Sequence, residues 1–158
     1  MALLCIGTLV AANTSSADRL SDITEIKTLY ANWKLAVEES DIDAYLSNLH
    51  DEIRLRPPAG SPVTGITNYR RFLGPVFASA TYLIEVDRAP SITIFGDMAV
   101  AEYDYTIIRN TLQNALVKLD SGAITSSVSP SSYVDILRKR ENGAWAVFLH
   151  TWRAQPPK

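Results

Sequence analysis

The chain has little cysteine, little histidine and no strong charge of either sign. Its one cysteine, Cys5, excludes an internal disulfide. Two histidines, His50 and His150, are too few for a convincing metal site, and the sequence calls for no cofactor. A formal net charge of −2 over 158 residues, with the basic residues scattered, leaves no electrostatic footprint for nucleic acid. The Ser-rich stretch 121–132 holds no Gly-x-Ser-x-Gly elbow, so serine-hydrolase chemistry has no support. An apolar run from Ala2 to Ala12 is too short to span a bilayer, and no membrane partner is expected. Ser15 and Ala17 have the small-residue spacing of a signal-peptidase site, yet no Lys or Arg precedes the run. Residues 1–17 therefore read as either an export signal or an N-terminal arm. The corresponding compartments are the periplasm or exterior in one case and the cytoplasm in the other.

What is present is ordinary for a globular protein: 47% hydrophobic and 20% charged residues, in a length that fits one domain at 18–158. Asp22 with Glu25 has capping-box spacing and predicts a helix start. Ile23, Ile26, Tyr30, Trp33 and Val37 then recur at helical spacing. Ser40 and Asp41 restart the chain into a short second helix. A brief strand is expected at 53–56, ended by Pro57 and Pro58, with a turn-rich loop at 59–65. A third helix is expected at 66–79, kinked or broken at Pro75. From Thr81 the period changes to alternation. Strands follow on either side of Gly96-Asp97, with a bulge or edge position near Pro90. Three helices followed by long antiparallel strands predict an α+β fold, with a cone-shaped sheet curled around the helices.

Asn142-Gly143 between two apolar runs predicts a terminal hairpin. A two-residue turn pairs Asp135 with His150. A three-residue turn with a bulge at Gly143 puts them on opposite faces. Paired, the carboxylate would orient the imidazole as a general acid or base. An exposed ion pair is the other reading. Arg138-Lys139-Arg140 reads as a solvated hairpin end, and Glu102 with Asp104 as a solvated strand face.

Three stretches carry a resemblance: Leu29 to Asp51 with Trp33 and Asp41-Ile42-Asp43, Leu55-Arg56-Pro57-Pro58 with Gly65, and Val134-Asp135-Ile136-Leu137-Arg138 through Gly143-Ala144-Trp145 to Thr151-Trp152. In this order the chain resembles the SnoaL-like branch of the nuclear-transport-factor and ketosteroid-isomerase superfamily, over about residues 20 to 155. The resemblance implies a cystatin-like α+β cone with an enclosed pocket. It also implies a cofactor-independent isomerase, cyclase or lyase, or a non-catalytic ligand-binding module of the same fold. The isomerases' helix tyrosine falls at Trp33 and their base at Pro57, so neither is carried over. Epoxide hydrolases of the fold use an Arg with two Asp, and Arg109, Asp104 and Asp135 lack that spacing.

The expected site is therefore His150 as proton carrier and Asp135 as its orienter, with Tyr103 or Tyr105 as donor to a developing oxyanion. Tyr30, Trp33, Leu55, Tyr69, Phe72, Tyr133 and Trp152 would line a pocket for a small apolar molecule. A homodimer is expected through the outer sheet face, with Val134, Ile136, Val147 and Leu149 needing cover.

Overall fold

A computed structural model describes residues 16–113 and 118–156. Helices α1 (Ser16–Glu38), α2 (Ile42–Ser47) and α3 (Ile66–Ser79) are combined with six strands. The strands are β1 (Leu49–Arg56), β2 (Val63–Thr64), β3 (Ala80–Phe95), β4 (Met98–Thr111), β5 (Val128–Lys139) and β6 (Trp145–Ala154). They form one curved, unclosed sheet in the order β2-β1-β6-β5-β4-β3. This is the expected α+β cone, with one difference: β1 runs parallel to β6 while the other pairings are antiparallel. The parallel pair arises because α2 hands the chain into β1 from the same end as the terminal hairpin.

Helix α1 lies against β3 and β6, with Ile26, Leu29, Tyr30, Trp33 and Ala36 buried beneath it. It begins at Ser16, six residues before the expected cap. Asp22 and Glu25 are instead side-chain acceptors for the hairpin: Asp22 Oδ1 takes the Trp145 indole N–H at 2.9 Å, and Glu25 Oε1 takes the Trp145 backbone N–H at 2.9 Å. The helix ends where Ser40 takes the left-handed conformation (φ 55°) and Asp41 N–H reaches back to the Ala36 carbonyl. Asp41 then caps α2, its side chain accepting from Ala44 N–H. Of the segment at 1–17, all but Ser16 and Ala17 lies outside the described residues.

Strand β1 starts at Leu49, earlier than expected, and the 59–65 loop contains β2. Helix α3 continues through Pro75, its later turns held by Leu73, Val76 and Phe77 in and against the core. The β3–β4 register shifts between Arg88 and Ser91, across Pro90, on an edge strand. Among the described residues, no helix is long and apolar enough to cross a membrane.

The helix layer and the sheet are tied by Glu38. Its Oε1 accepts the Ile84 backbone N–H at 2.9 Å, and Lys34 Nζ lies 2.7 Å from the carboxylate. Burial pushes this carboxyl up, but the Ile84 N–H and the Lys34 ammonium outweigh it and leave its pKa below the ordinary 4.5. A depressed folded-state pKa gives stability that is complete above the unfolded value and is lost as the pH falls through the folded one. Glu38→Gln is therefore expected to cost about 1 kcal/mol at pH 7. The cost should shrink as the pH falls below the ordinary 4.5 and the native carboxyl takes up its proton. Urea denaturation of both proteins at pH 7 and at successively lower pH checks this, and a loss that never changes would mean the carboxylate charge contributes nothing.

Candidate functional site

The terminal hairpin sets the geometry. Its turn is not the two-residue kind: Gly143 N–H bonds to the Arg140 carbonyl, and Arg140 N–H bonds to the Ala144 carbonyl, enclosing residues 141–143. Gly143 has φ 85°, a left-handed conformation that favours glycine. Near the turn Lys139 faces Trp145 and Leu137 faces Val147, a register that would separate Asp135 from His150. A second irregularity restores the pair. Phe148 is an extra residue between Val147 and Leu149, so Ile136 faces Leu149 and Asp135 faces His150. Two one-residue offsets cancel.

The same bulge corrects another expectation. Val147 is fully buried and does not share the outer face with Val134, Ile136 and Leu149. The hairpin's basic triplet is likewise no solvated end. Arg138 bonds Glu52 and stacks on Phe148, Lys139 pairs with Asp22, and Arg140 holds the Ser47 and Leu49 carbonyls.

Asp135 is completely buried. Among the described residues no Lys or Arg bonds to it; three hydrogen-bonding groups from three elements do. Tyr30 of α1 and Tyr103 of β4 each donate a hydroxyl to Oδ2 at 2.8 Å, and His150 Nδ1 lies 2.8 Å from Oδ1. A carboxylate saturated in this way can stay in the core, since each oxygen has a donor in place of water. Tyr30 and Tyr103 are held well above the ordinary tyrosine pKa by burial first and by the Asp135 charge next, so they serve as donors, not bases. The Nδ1 contact assigns the tautomer: Nδ1 carries the proton toward Asp135, and neutral His150 keeps a free lone pair on Nε2. The ring lies edge-on to Trp33, stacks on Tyr133 and tilts against Trp152.

His150 borders two chambers. One, of about 100 Å³, is walled by Leu55, Tyr69, Phe72, Phe77, Ile124 and Trp152 among others. The other, of about 70 Å³, is walled by Tyr30, Trp33, Tyr103 and Tyr105. Val37, Tyr45, Ile107, Tyr133 and His150 border both. Ten of the eleven residues expected at the site border these chambers, and the eleventh, Asp135, stands behind His150. Tyr103 takes a different role from the one expected, because its hydroxyl is committed to Asp135. Tyr105 makes no hydrogen bond to a described residue, and burial with the Asp135 charge pushes its pKa up to about 12. The Trp33 indole N–H and the Tyr133 hydroxyl are buried with no hydrogen-bond partner among the described residues. Tyr45 stands by the indole and Ser131 by the Tyr133 hydroxyl, each outside bonding geometry.

Sequence reasoning missed Tyr45, whose hydroxyl meets that of Tyr69 at 3.0 Å, and it missed the wall formed by Gly122, Ala123 and Ile124. Nothing in a Ser-rich loop signals that it will cover a cavity. The loop is seated by close backbone contact: a Cβ on Gly122 would lie 2.7 Å from Pro57 Cγ and 2.8 Å from the Ala59 carbonyl oxygen. Pro57, at the isomerases' base position, therefore serves as a seat for this loop. Arg109 bonds Ser79 and Thr111, and Asp104 pairs with Arg88 on the outer face, so these two and Asp135 do not converge. Among the described residues no group of His, Cys, Asp and Glu could hold a metal.

Comparison with known proteins agrees with the fold. The fold is that of the nuclear-transport-factor-2-like superfamily. Residues 26–122, more than half of the chain, match the SnoaL-like domain, and the chain belongs to that family. A superfamily protein from Salmonella enterica superposes with a TM-score of 0.71 at 15% identity, covering 89% of this chain and 95% of its own. A type 2 hexachlorocyclohexane dehydrochlorinase (LinA) gives 0.72 at 13% identity, covering 90% of each chain. A protein from Novosphingobium aromaticivorans DSM 12444, proposed to be a scytalone dehydratase, gives 0.72 at 12% identity, covering 90% of this chain and 89% of its own. No curated protein matches the sequence.

Proposed function

We propose that this protein is an isomerase or lyase acting by general acid/base catalysis on a small apolar molecule, with His150 moving the proton. The observation that carries the reading is the buried Asp135–His150 pair, with the imidazole bordering both chambers. In the reaction Nε2 takes a proton from a substrate carbon. Asp135 stabilises the imidazolium, and the electron pair left on carbon becomes a new double bond. Charge then passes to a departing group or to an adjacent oxygen, and the imidazolium returns the proton to that group or to another carbon. Trp33 Nε1–H and the Tyr133 hydroxyl are the unpartnered donors that would hold that oxygen or departing group. Two structural relatives named for eliminations, a dehydrochlorinase and a proposed dehydratase, support the reaction class.

The chambers bound the substrate. An apolar cavity of about 150 Å³ holds one benzene ring. The two spaces, of about 100 and 70 Å³, are each smaller than that and share His150 as a wall, so a short-chain compound fits one of them and a single ring requires both. A pocket-only protein of the same fold is the second reading, favoured by Pro57 at the place of the isomerases' base. The two are separated by incubating single-ring ketones and related carbon acids with the protein in D2O and following C–H exchange by proton NMR. Exchange that is lost in His150→Gln supports the enzyme. Compounds that bind with no exchange in the native protein would leave a binding module.

A further inference from the structure

Arg109 places a cation on the face of the sheet that carries the chambers. It follows Tyr103, Tyr105 and Ile107 at every second position of β4, so its side chain leaves the strand on their side. The register pairs it with Tyr82 of β3, and Tyr82 and Ile107 both wall the larger chamber. Its guanidinium donates to Thr111 Oγ1 at 2.8 Å and to Ser79 Oγ at 3.2 Å. Ser79 in turn donates to the Val76 carbonyl, and Val76 is another wall of that chamber. The Arg109 backbone N–H holds the Ser127 carbonyl, at the foot of the loop whose residues 122–124 line the same space. Arg109 thus stands at the rim, one strand repeat (about 7 Å) beyond Ile107.

Its charge is unmatched. Every Asp and Glu of the chain lies among the described residues, and none forms an ion pair with Arg109. Both of its side-chain bonds go to neutral hydroxyls, one from each Nη atom, so a second N–H remains on each. Its Nε is buried with no partner among the described residues.

We propose that Arg109 binds a carboxylate at the far end of the substrate, so that the compound turned over is a short-chain or single-ring carboxylic acid. Its apolar body fills the chambers and its anion sits at the rim. The inference rests on the proposed function for the reacting end and assigns the opposite end. A guanidinium fork matches a carboxylate in shape and charge, and the apolar walls beside it strengthen the attraction. A molecule held at both ends presents one carbon to His150 in a fixed orientation.

Hexanoate and hexanamide are probes of one chain length that differ in charge. Titration of each into the full chain at pH 7 and low salt, followed by NMR, tests the site. Hexanoate should bind about 10- to 100-fold tighter, the span of a hydrogen bond to a charged group, and the preference should shrink as salt is raised. Arg109→Gln can still bond the two hydroxyls but carries no charge, so its preference should fall to about threefold or less. Arg109→Lys should keep part of the preference. The Arg109 Nε–H resonance of the native protein should move with hexanoate and not with hexanamide, which reads the contact even if Arg109→Gln fails to fold. Equal affinities, unbound hexanoate, or a preference that survives in Arg109→Gln overturns the proposal. The two readings fail separately. Selective binding in a protein with no C–H exchange removes the catalysis and leaves the Arg109 site, and exchange with no carboxylate preference does the reverse.

Discussion

Exchanging His150 for glutamine is expected to lower turnover about 100- to 10,000-fold while leaving the protein folded, which is the usual span of a general acid/base contribution. Glutamine keeps an amide of similar size that can still donate to Asp135, but it cannot take up a proton near neutral pH. Asp135→Asn should also be damaging, by a different route. The Tyr30 and Tyr103 hydroxyls both donate to Oδ2, so the Asn carbonyl will take that place and its NH2 will face His150 Nδ1. The ring must then present Nδ1 as an acceptor and carry its proton on Nε2, the wrong tautomer for a base. Turnover by the two variants, with thermal melting as the fold control, is the measurement. Full activity in His150→Gln would remove the imidazole from the mechanism. A hydrogen-bonded imidazole N–H resonance present in the native protein and absent in Asp135→Asn would report the tautomer without any substrate.

Trp145→Ala is expected to cost about 3–5 kcal/mol of stability, in the range of large-to-small changes at buried aromatics. Trp145 is 2% exposed at the head of β6, and it joins parts far apart in sequence. Its indole N–H bonds Asp22, its backbone N–H bonds Glu25, and the Lys139 ammonium lies 5.1 Å from its ring. Burial raises the Asp22 pKa, but the bonds from Lys139 and Trp145 outweigh it, so the carboxyl ends below its ordinary value. Removing the ring opens a cavity and strips a partner from that carboxylate. Trp145→Phe keeps most of the apolar volume and loses one side-chain bond, so about 1–2 kcal/mol is expected. Urea denaturation separates the two. Equal losses would mean that the hydrogen bond, not the packing, holds the hairpin to α1.

The sequence was legible where period and turn chemistry act locally. The 66–79 helix was read to the residue, because a single amphipathic stripe follows a left-handed Gly65. The long β4 strand was read from Tyr103, Tyr105 and Ile107 alternating with polar residues. The Asp135–His150 pair was read correctly through an incorrect turn, since the bulge at Phe148 leaves no local mark in an unbroken apolar run. Asp22 and Glu25 satisfied a local rule for helix starts while being used for a contact more than a hundred positions away. Tyr30 was read as a pocket wall; its bond to Asp135 spans 105 positions and depends on how α1 crosses the sheet. The parallel β1–β6 contact and the loop seated on Pro57 are of the same kind, fixed by tertiary approach and invisible to spacing.

The extra residue at Phe148 has an evolutionary corollary. Turn length and strand bulge work as a phase correction, in which one slip is made and then undone before the ring nitrogen is placed. At this chain length, closing either irregularity by a slip of register alone would turn His150 outward and leave a bare carboxylate in the core. The two should therefore be kept or lost together among homologues of the same hairpin length: a two-residue turn at 142–143 should go with an unbulged strand in which the residue at 148 faces the one at 137. Deleting Phe148 should instead straighten the strand and keep Asp135 opposite His150, because the bulge residue has no partner to lose.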